Sequence, residues 1–149
     1  MIHVRVGPED FDMAQEYLAL QQRAGDSGAI ASFVGLMRAD DGVAAMYLEH
    51  YPAMTEKMLE NIAKEAACRW PLSGITLVHR VGHLQPRDQI VLVLTAARHR
   101  SDALEACHFL IDWLKTRAPF WKREERGANS IWVEARTADD DAAARWEKP

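Results

Sequence analysis

The chain has only two cysteines, no apolar run near the roughly 20 residues of a membrane helix, and no excess of positive charge. Each scarcity excludes something. Cys68 and Cys107 show neither a CxxC nor a Cys/His spacing, so a disulfide framework or a metal centre is not expected. Both are expected as buried, reduced thiols within helical patterns. A formal net charge of -4 gives no general attraction for nucleic acid or for an anionic membrane, so any anion site must be local. Glycine-rich phosphate loops, HExxH helices, nucleophile elbows and EF-hand spacings are missing as well. The N-terminus alternates over Met1 to Val6 and meets Gly7-Pro8 at once, which suits a strand rather than a signal peptide; a cytoplasmic location is the expectation.

What is present is ordinary globular composition, 48% hydrophobic and 27% charged, in a length that suits one domain over residues 1–149. Strands are predicted over Ile2 to Val6, Ala29 to Leu36, Ala44 to Tyr51, Gly74 to Val81, Gln89 to Ala97 and Ser130 to Ala135. The second and third of these can form an antiparallel pair across the loop that ends in Asp40-Asp41-Gly42. Helical spacing covers Phe11 to Gln22, with Phe11, Ala14 and Leu18 along one side. A long helix over Thr55 to Trp70 is stopped by Pro71, and a second over Ser101 to Thr116 carries a stripe of Leu104, Cys107, Ile111 and Leu114. A short amphipathic helix closes the pattern over Asp139 to Trp146. The fold class is α+β, with mixed or antiparallel strands and two main helices packed on them.

The chemistry concentrates after the second long helix. Lys115, Arg117, Lys122 and Arg123 crowd around Pro119 together with Phe120 and Trp121. A solvated basic tail would not carry the two rings, and a core segment would not carry four cations. The combination suits a partly enclosed anion pocket, with a turn at Ala118-Pro119 folding Lys122 back toward Lys115. The alternative is a helix C-terminus whose cations complement its dipole. Arg98-His99-Arg100 lies at a strand-to-helix junction, where backbone N–H groups and an arginine could hold phosphate, or where a solvated basic connection would look the same. Arg38 either reaches a site at its strand end or pairs with Asp40 or Asp41; Glu124 and Arg136 are either site partners or surface ion pairs. Glu49-His50-Tyr51 alternates across a strand and is read as structural. From the residues alone the reading reaches a globular domain with a basic pocket suited to phosphate.

Several segments together resemble the family of large, catalytic subunits of molybdopterin synthase (the MoaE family). They are Gly28-Ala29-Ile30 through Gly35 and Arg38, Leu48-Glu49-His50-Tyr51-Pro52 with Met54-Thr55-Glu56-Lys57, and Arg69-Trp70-Pro71. His79-Arg80-Val81-Gly82, His99-Arg100-Ser101, Leu114 through Glu124, and Trp132 through Arg136 complete a series in the family's order. The resemblance implies an α/β hammerhead-type fold and a homodimer. Each copy would bind a small ubiquitin-like sulfur carrier ending in a Gly-Gly thiocarboxylate, giving a heterotetramer. The implied reaction is a sulfur transfer that converts cyclic pyranopterin monophosphate to the molybdopterin dithiolene, with no metal or other cofactor held by this subunit. By the same resemblance Lys115 and Lys122 are catalytic, and Arg38, His99, Arg100, Glu124 and Arg136 bind substrate. Phe33, Phe120 and Trp121 line the pocket. Leu36 stands where many relatives carry a lysine, so no cation is expected there.

Overall fold

The computed structural model describes residues 1–38, 43–118, 120–126, 129–133 and 137–147, with backbone alone at 121, 125–126, 129–133 and 137–138. Along the chain the elements are β1 (Ile2–Gly7), α1 (Met13–Arg23), β2 (Ala29–Leu36), β3 (Ala45–His50), α2 (Pro52–Arg69) and β4 (Leu72–Arg80). They continue with β5 (Gly82–Leu84), β6 (Gln89–Ala97), α3 (Arg100–Arg117), β7 (Phe120–Arg126), β8 (Asn129–Val133) and α4 (Thr137–Ala144). This is the expected α+β class, arranged as two four-stranded sheets.

The first sheet has the order β1-β4-β6-β2, with β1 parallel to β4 and the other pairs antiparallel. Its central strands β4 and β6 are buried on both faces, so each face needs a covering layer. Leu20 and Ala24 at the end of α1 cover one face together with Phe11, against Val78, Leu92, Leu94 and Ala96. The other face packs Ala31, Ile75, Leu77 and Val93 against Leu59, Ile62 and Ala66 of α2 and Ala103, Phe109 and Leu110 of α3. The buried hydroxyls are satisfied: Thr95 donates to the Ala103 carbonyl at 2.6 Å, and Thr76 accepts from Arg23 at 2.7 Å.

The second sheet has the order β5-β3-β7-β8. Sequence-adjacent β2 and β3 therefore do not pair, contrary to expectation. β2 pairs with β6 and β3 with β5 and β7, because Met37 and Val43, on either side of the intervening loop, are buried with Met46, Leu48, Val81 and Leu84 beneath the second sheet. The chain crosses from sheet to sheet again at Val81-Gly82, where Gly82 takes φ +86°, a left-handed conformation that glycine alone adopts without strain. β7 was not anticipated: its charged sequence has little strand propensity and is held by pairing on both edges.

α2 starts with Pro52 in its first turn and stops at Trp70, whose φ/ψ of -129°/148° is what the following proline imposes. Three helix-face expectations are corrected. Leu18 is 54% and Leu104 is 60% exposed, because Leu20 anchors α1, while the small Ala103 and Ala106 let α3 approach the sheet. Cys68 is exposed rather than buried, lying off the face of α2 that carries Leu59, Ile62 and Ala66. Cys107 is buried as expected, and burial pushes its thiol up to about 11. Among the described residues no helix is long and apolar enough to cross a membrane.

Candidate active site

Lys115 stands exposed in the last turn of α3, where its charge and that of Arg117 complement the helix dipole. Ala118 follows in extended conformation, as a residue before proline must, and its carbonyl accepts from the Phe120 N–H at 2.9 Å. This tight reversal starts β7 at Phe120. Side chains alternate along a strand, so Phe120, Lys122 and Glu124 share one face of β7. They stand opposite His50, Leu48 and Met46 of β3 in turn. The Lys122 ammonium lies 3.7 Å from the Glu124 carboxylate, and Glu124 is the more enclosed of the two. Glu124, read from sequence as either a site partner or half of a surface pair, is thus paired with Lys122 on β7.

Phe120 joins the two sheets, packing with the core beneath the helices and with the cluster of Met46 and Leu48. Its ring stacks on His79 from the end of β4, with centroids 3.9 Å apart and planes 19° from parallel. His79 is buried, and its Nδ1 lies 2.8 Å from the Arg80 carbonyl. A carbonyl only accepts, so Nδ1 carries the proton and Nε2 is the ring's acceptor. Burial is the main cause that holds His79 down to about 4; the charges of Lys115 and His50 act in the same direction. The imidazole is neutral at physiological pH. Sequence reading did not assign His79 a role, and it treated His50 as structural. The signal was available only as the His79-to-Gly82 motif, since Phe120 reaches His79 through tertiary packing.

Arg38 is exposed just beyond Met37, whose side chain is buried beneath the second sheet. It follows β2 at the end of the sheet where β4 ends in His79-Arg80 and β6 begins. Phe33 lies half-buried in β2, packed with the core beneath α2 and α3. Arg136 lies outside the described residues, as does the side chain of Trp121.

His99 and Arg100 occupy a different place. His99 is the extended N-cap of α3 and Arg100 its first helical residue. With Gly28, Arg98 and Ser101 they line an open polar pocket of about 460 Å³. Gly28 is required here: a Cβ would meet the Arg98 carbonyl oxygen at 2.1 Å. Backbone N–H groups at the helix start and two arginines suit an anion. Yet Arg100 and Lys115 are fifteen residues apart on one helix, roughly 22 Å at 1.5 Å per residue. Within one chain the structure does not bring the two basic groups together.

The family model described as MoaE protein matches residues 6–117. The molybdopterin synthase catalytic subunit of Mesorhizobium japonicum is 50% identical over 97% of this chain and 92% of its own length. That of Escherichia coli K12 is 51% identical over 95% of each chain. The solved molybdopterin biosynthesis MoaE protein from Burkholderia ambifaria superposes with a TM-score of 0.86 at 54% identity, covering 98% of both chains. On sequence over nearly its whole length, and on fold, the chain belongs to the MoaE protein family.

Proposed function

We propose that this chain is the catalytic subunit of a molybdopterin synthase. It transfers sulfur from the C-terminal Gly-Gly thiocarboxylate of a small ubiquitin-like carrier to cyclic pyranopterin monophosphate, forming the dithiolene. Its relatives are named catalytic subunits, and a catalytic subunit acts with a partner. The observation that carries the reading is the pair of Lys122 and Glu124, 3.7 Å apart on the same face of β7 as Phe120, in the strand that follows Lys115 at the end of α3. A carrier tail ending in an anion meets cations there, and the amines can move a proton as sulfur leaves the acyl carbon.

In this reading Lys115 and Lys122 act on the tail and Glu124 positions Lys122. Arg38, His99, Arg100 and Arg136 hold the substrate's phosphate and pterin, and Phe33, Phe120 and Trp121 wall the pocket. The roughly 22 Å between Arg100 and Lys115 is too far for one small phosphate ester to touch both. His99 and Arg100 therefore serve the Lys115 centre of a second copy, in a homodimer carrying two carriers. The reading takes residues 1–149 as one domain, working in the cytoplasm. The test is reconstitution: the chain, a carrier already proven as a thiocarboxylate donor, and pyranopterin phosphate should yield dithiolene product. No product from that mixture would sink the proposal.

A further inference from the structure

A strained turn adjoins the residue before Arg38. Gln85-Pro86-Arg87-Asp88 joins β5 to β6, and the Asp88 N–H donates to the Gln85 carbonyl at 3.0 Å. Arg87 takes φ +77°, the left-handed conformation that the third residue of a type II turn requires after proline. Glycine adopts it without strain; among the described residues Arg87 is the one non-glycine residue with positive φ. The turn is closed a second time by the Asp88 carboxylate, which accepts from the Gln85 N–H at 2.8 Å. Its foot is braced as well. The Gln89 side chain donates to the Asp10 carboxylate and to the Phe11 carbonyl, both at 2.9 Å, and the Gln89 carbonyl accepts from Arg80 at 2.9 Å.

This closed turn holds Met37 by both of its backbone groups. β2 and β6 shift register between Gly35 and Leu36, a bulge that re-aims the end of β2. Beyond it the Met37 N–H donates to the Asp88 carbonyl at 2.8 Å, and the Met37 carbonyl accepts from the Arg87 N–H at 2.9 Å. The Met37 side chain is buried with Met46 and Leu48. Its carbonyl and the Arg38 N–H belong to one planar peptide, so the turn fixes the plane from which the Arg38 side chain departs. We propose that the Gln85–Asp88 turn positions Arg38 for the substrate, with Asp88 as the positioning residue that keeps the turn closed. The inference rests on the sulfur-transfer reading, in which Arg38 holds the substrate's phosphate and pterin. A planar guanidinium fork binds well only in a narrow range of orientations, so a fixed peptide at its base favours binding.

Calorimetric binding of cyclic pyranopterin monophosphate to the chain separates positioning from plain stability. Asp88→Ala should weaken binding by about fivefold, the scale of one net hydrogen bond. Asp88→Asn, whose amide oxygen still accepts from Gln85, should stay within about twofold of wild type. In a double-mutant cycle, Asp88→Ala should change binding by less than about twofold once Arg38→Ala is present, because its effect passes through Arg38. Equal losses in both backgrounds would overturn the proposal, as would wild-type affinity in Asp88→Ala or in Arg38→Ala. Arg87→Gly relieves the strain and keeps every backbone hydrogen bond of the turn, so it should bind within about twofold of wild type. A loss there as large as that of Asp88→Ala would show the Arg87 side chain meeting the substrate and would remove the role given to the turn. Should Asp88→Ala not fold, amide exchange in the wild-type chain decides. Bound pyranopterin should slow exchange at Met37 and Arg87 by about threefold or more, and unchanged rates would refute the positioning role. In the reconstituted reaction, Asp88→Ala should raise the KM for the pyranopterin and leave kcat within about twofold of wild type. A wild-type chain that binds the pyranopterin and makes no product would count against the sulfur-transfer reading alone, and the binding cycle would still decide the part played by the turn.

Discussion

Acid should unfold this protein partly through one residue. In the unfolded chain His79 titrates near 6.5, and in the folded chain burial holds it down to about 4. Between those values the unfolded state binds a proton that the folded state refuses. A depressed histidine thus contributes stability that is present above pH 6.5 and is lost as pH falls toward 4. The interval of about 2.5 units corresponds to about 3 kcal/mol across the full window. Most of it falls between pH 7 and pH 5, where the loss is about 2 kcal/mol. Carboxylates titrate in the lower part of this range, so the wild-type slope alone does not isolate the effect. The assay is urea unfolding at pH 7, 6 and 5 for wild type and His79→Phe, comparing the difference between them at each pH. The wild type should lose about 2 kcal/mol relative to the variant between pH 7 and pH 5. Equal pH slopes would refute the reasoning, because they would mean that His79 takes up its proton without cost in the folded state.

Three further outcomes follow from the packing. A thiol-alkylating reagent should modify exposed Cys68 in native protein and Cys107 only after denaturation, as counted by mass spectrometry; comparable native rates would contradict the burial of Cys107. Trp146→Ala removes an indole that donates to the buried Asp112 carboxylate at 2.7 Å and meets Trp70, Phe109 and His108 edge-on. It should cost about 3 kcal/mol in urea unfolding, and a loss below about 1 kcal/mol would show that this C-terminal segment does not brace α3. If His99 and Arg100 serve a second copy's lysine, mixing inactive Lys115→Ala and Arg100→Ala chains should restore part of the product formation. No recovery after confirmed subunit exchange would place both groups in one chain's site.

The legible part of the fold is where local pattern and tertiary packing agree. β2, β4 and β6 are apolar runs bounded by turn signals, and α2 ends where Pro71 forces it to. The helix faces were less legible, since large Leu18 and Leu104 are exposed while small alanines make the close contacts of α3. Nothing local in Phe120 to Arg126 announces a strand; β7 exists because β3 and β8 supply its hydrogen bonds. The site divides in the same way. The cations around Pro119 and the junction at His99-Arg100 stand out by composition; the first group falls at the end of α3 and in β7, the second at the start of α3. That they lie at opposite ends of one helix was already implicit in their spacing. His79 was hidden: in sequence it is one polar residue at the end of an apolar strand, and its enclosure shows only once β7 brings the Phe120 ring over it.

The central claim is that the end of α3 is a sulfur-transfer centre, and Lys115→Ala tests it most directly. The measurement is single-turnover formation of dithiolene by the variant chain with saturating thiocarboxylated carrier and pyranopterin phosphate, with melting temperature and carrier affinity recorded on the same protein. Loss of a group that handles a proton in the reaction costs about 10²–10⁴ in rate. A rate at least about 100-fold below wild type, with melting and carrier binding unchanged, is the expected result. Product formation within about threefold of wild type would contradict the account and leave Lys115 as one of the cations that cap a helix.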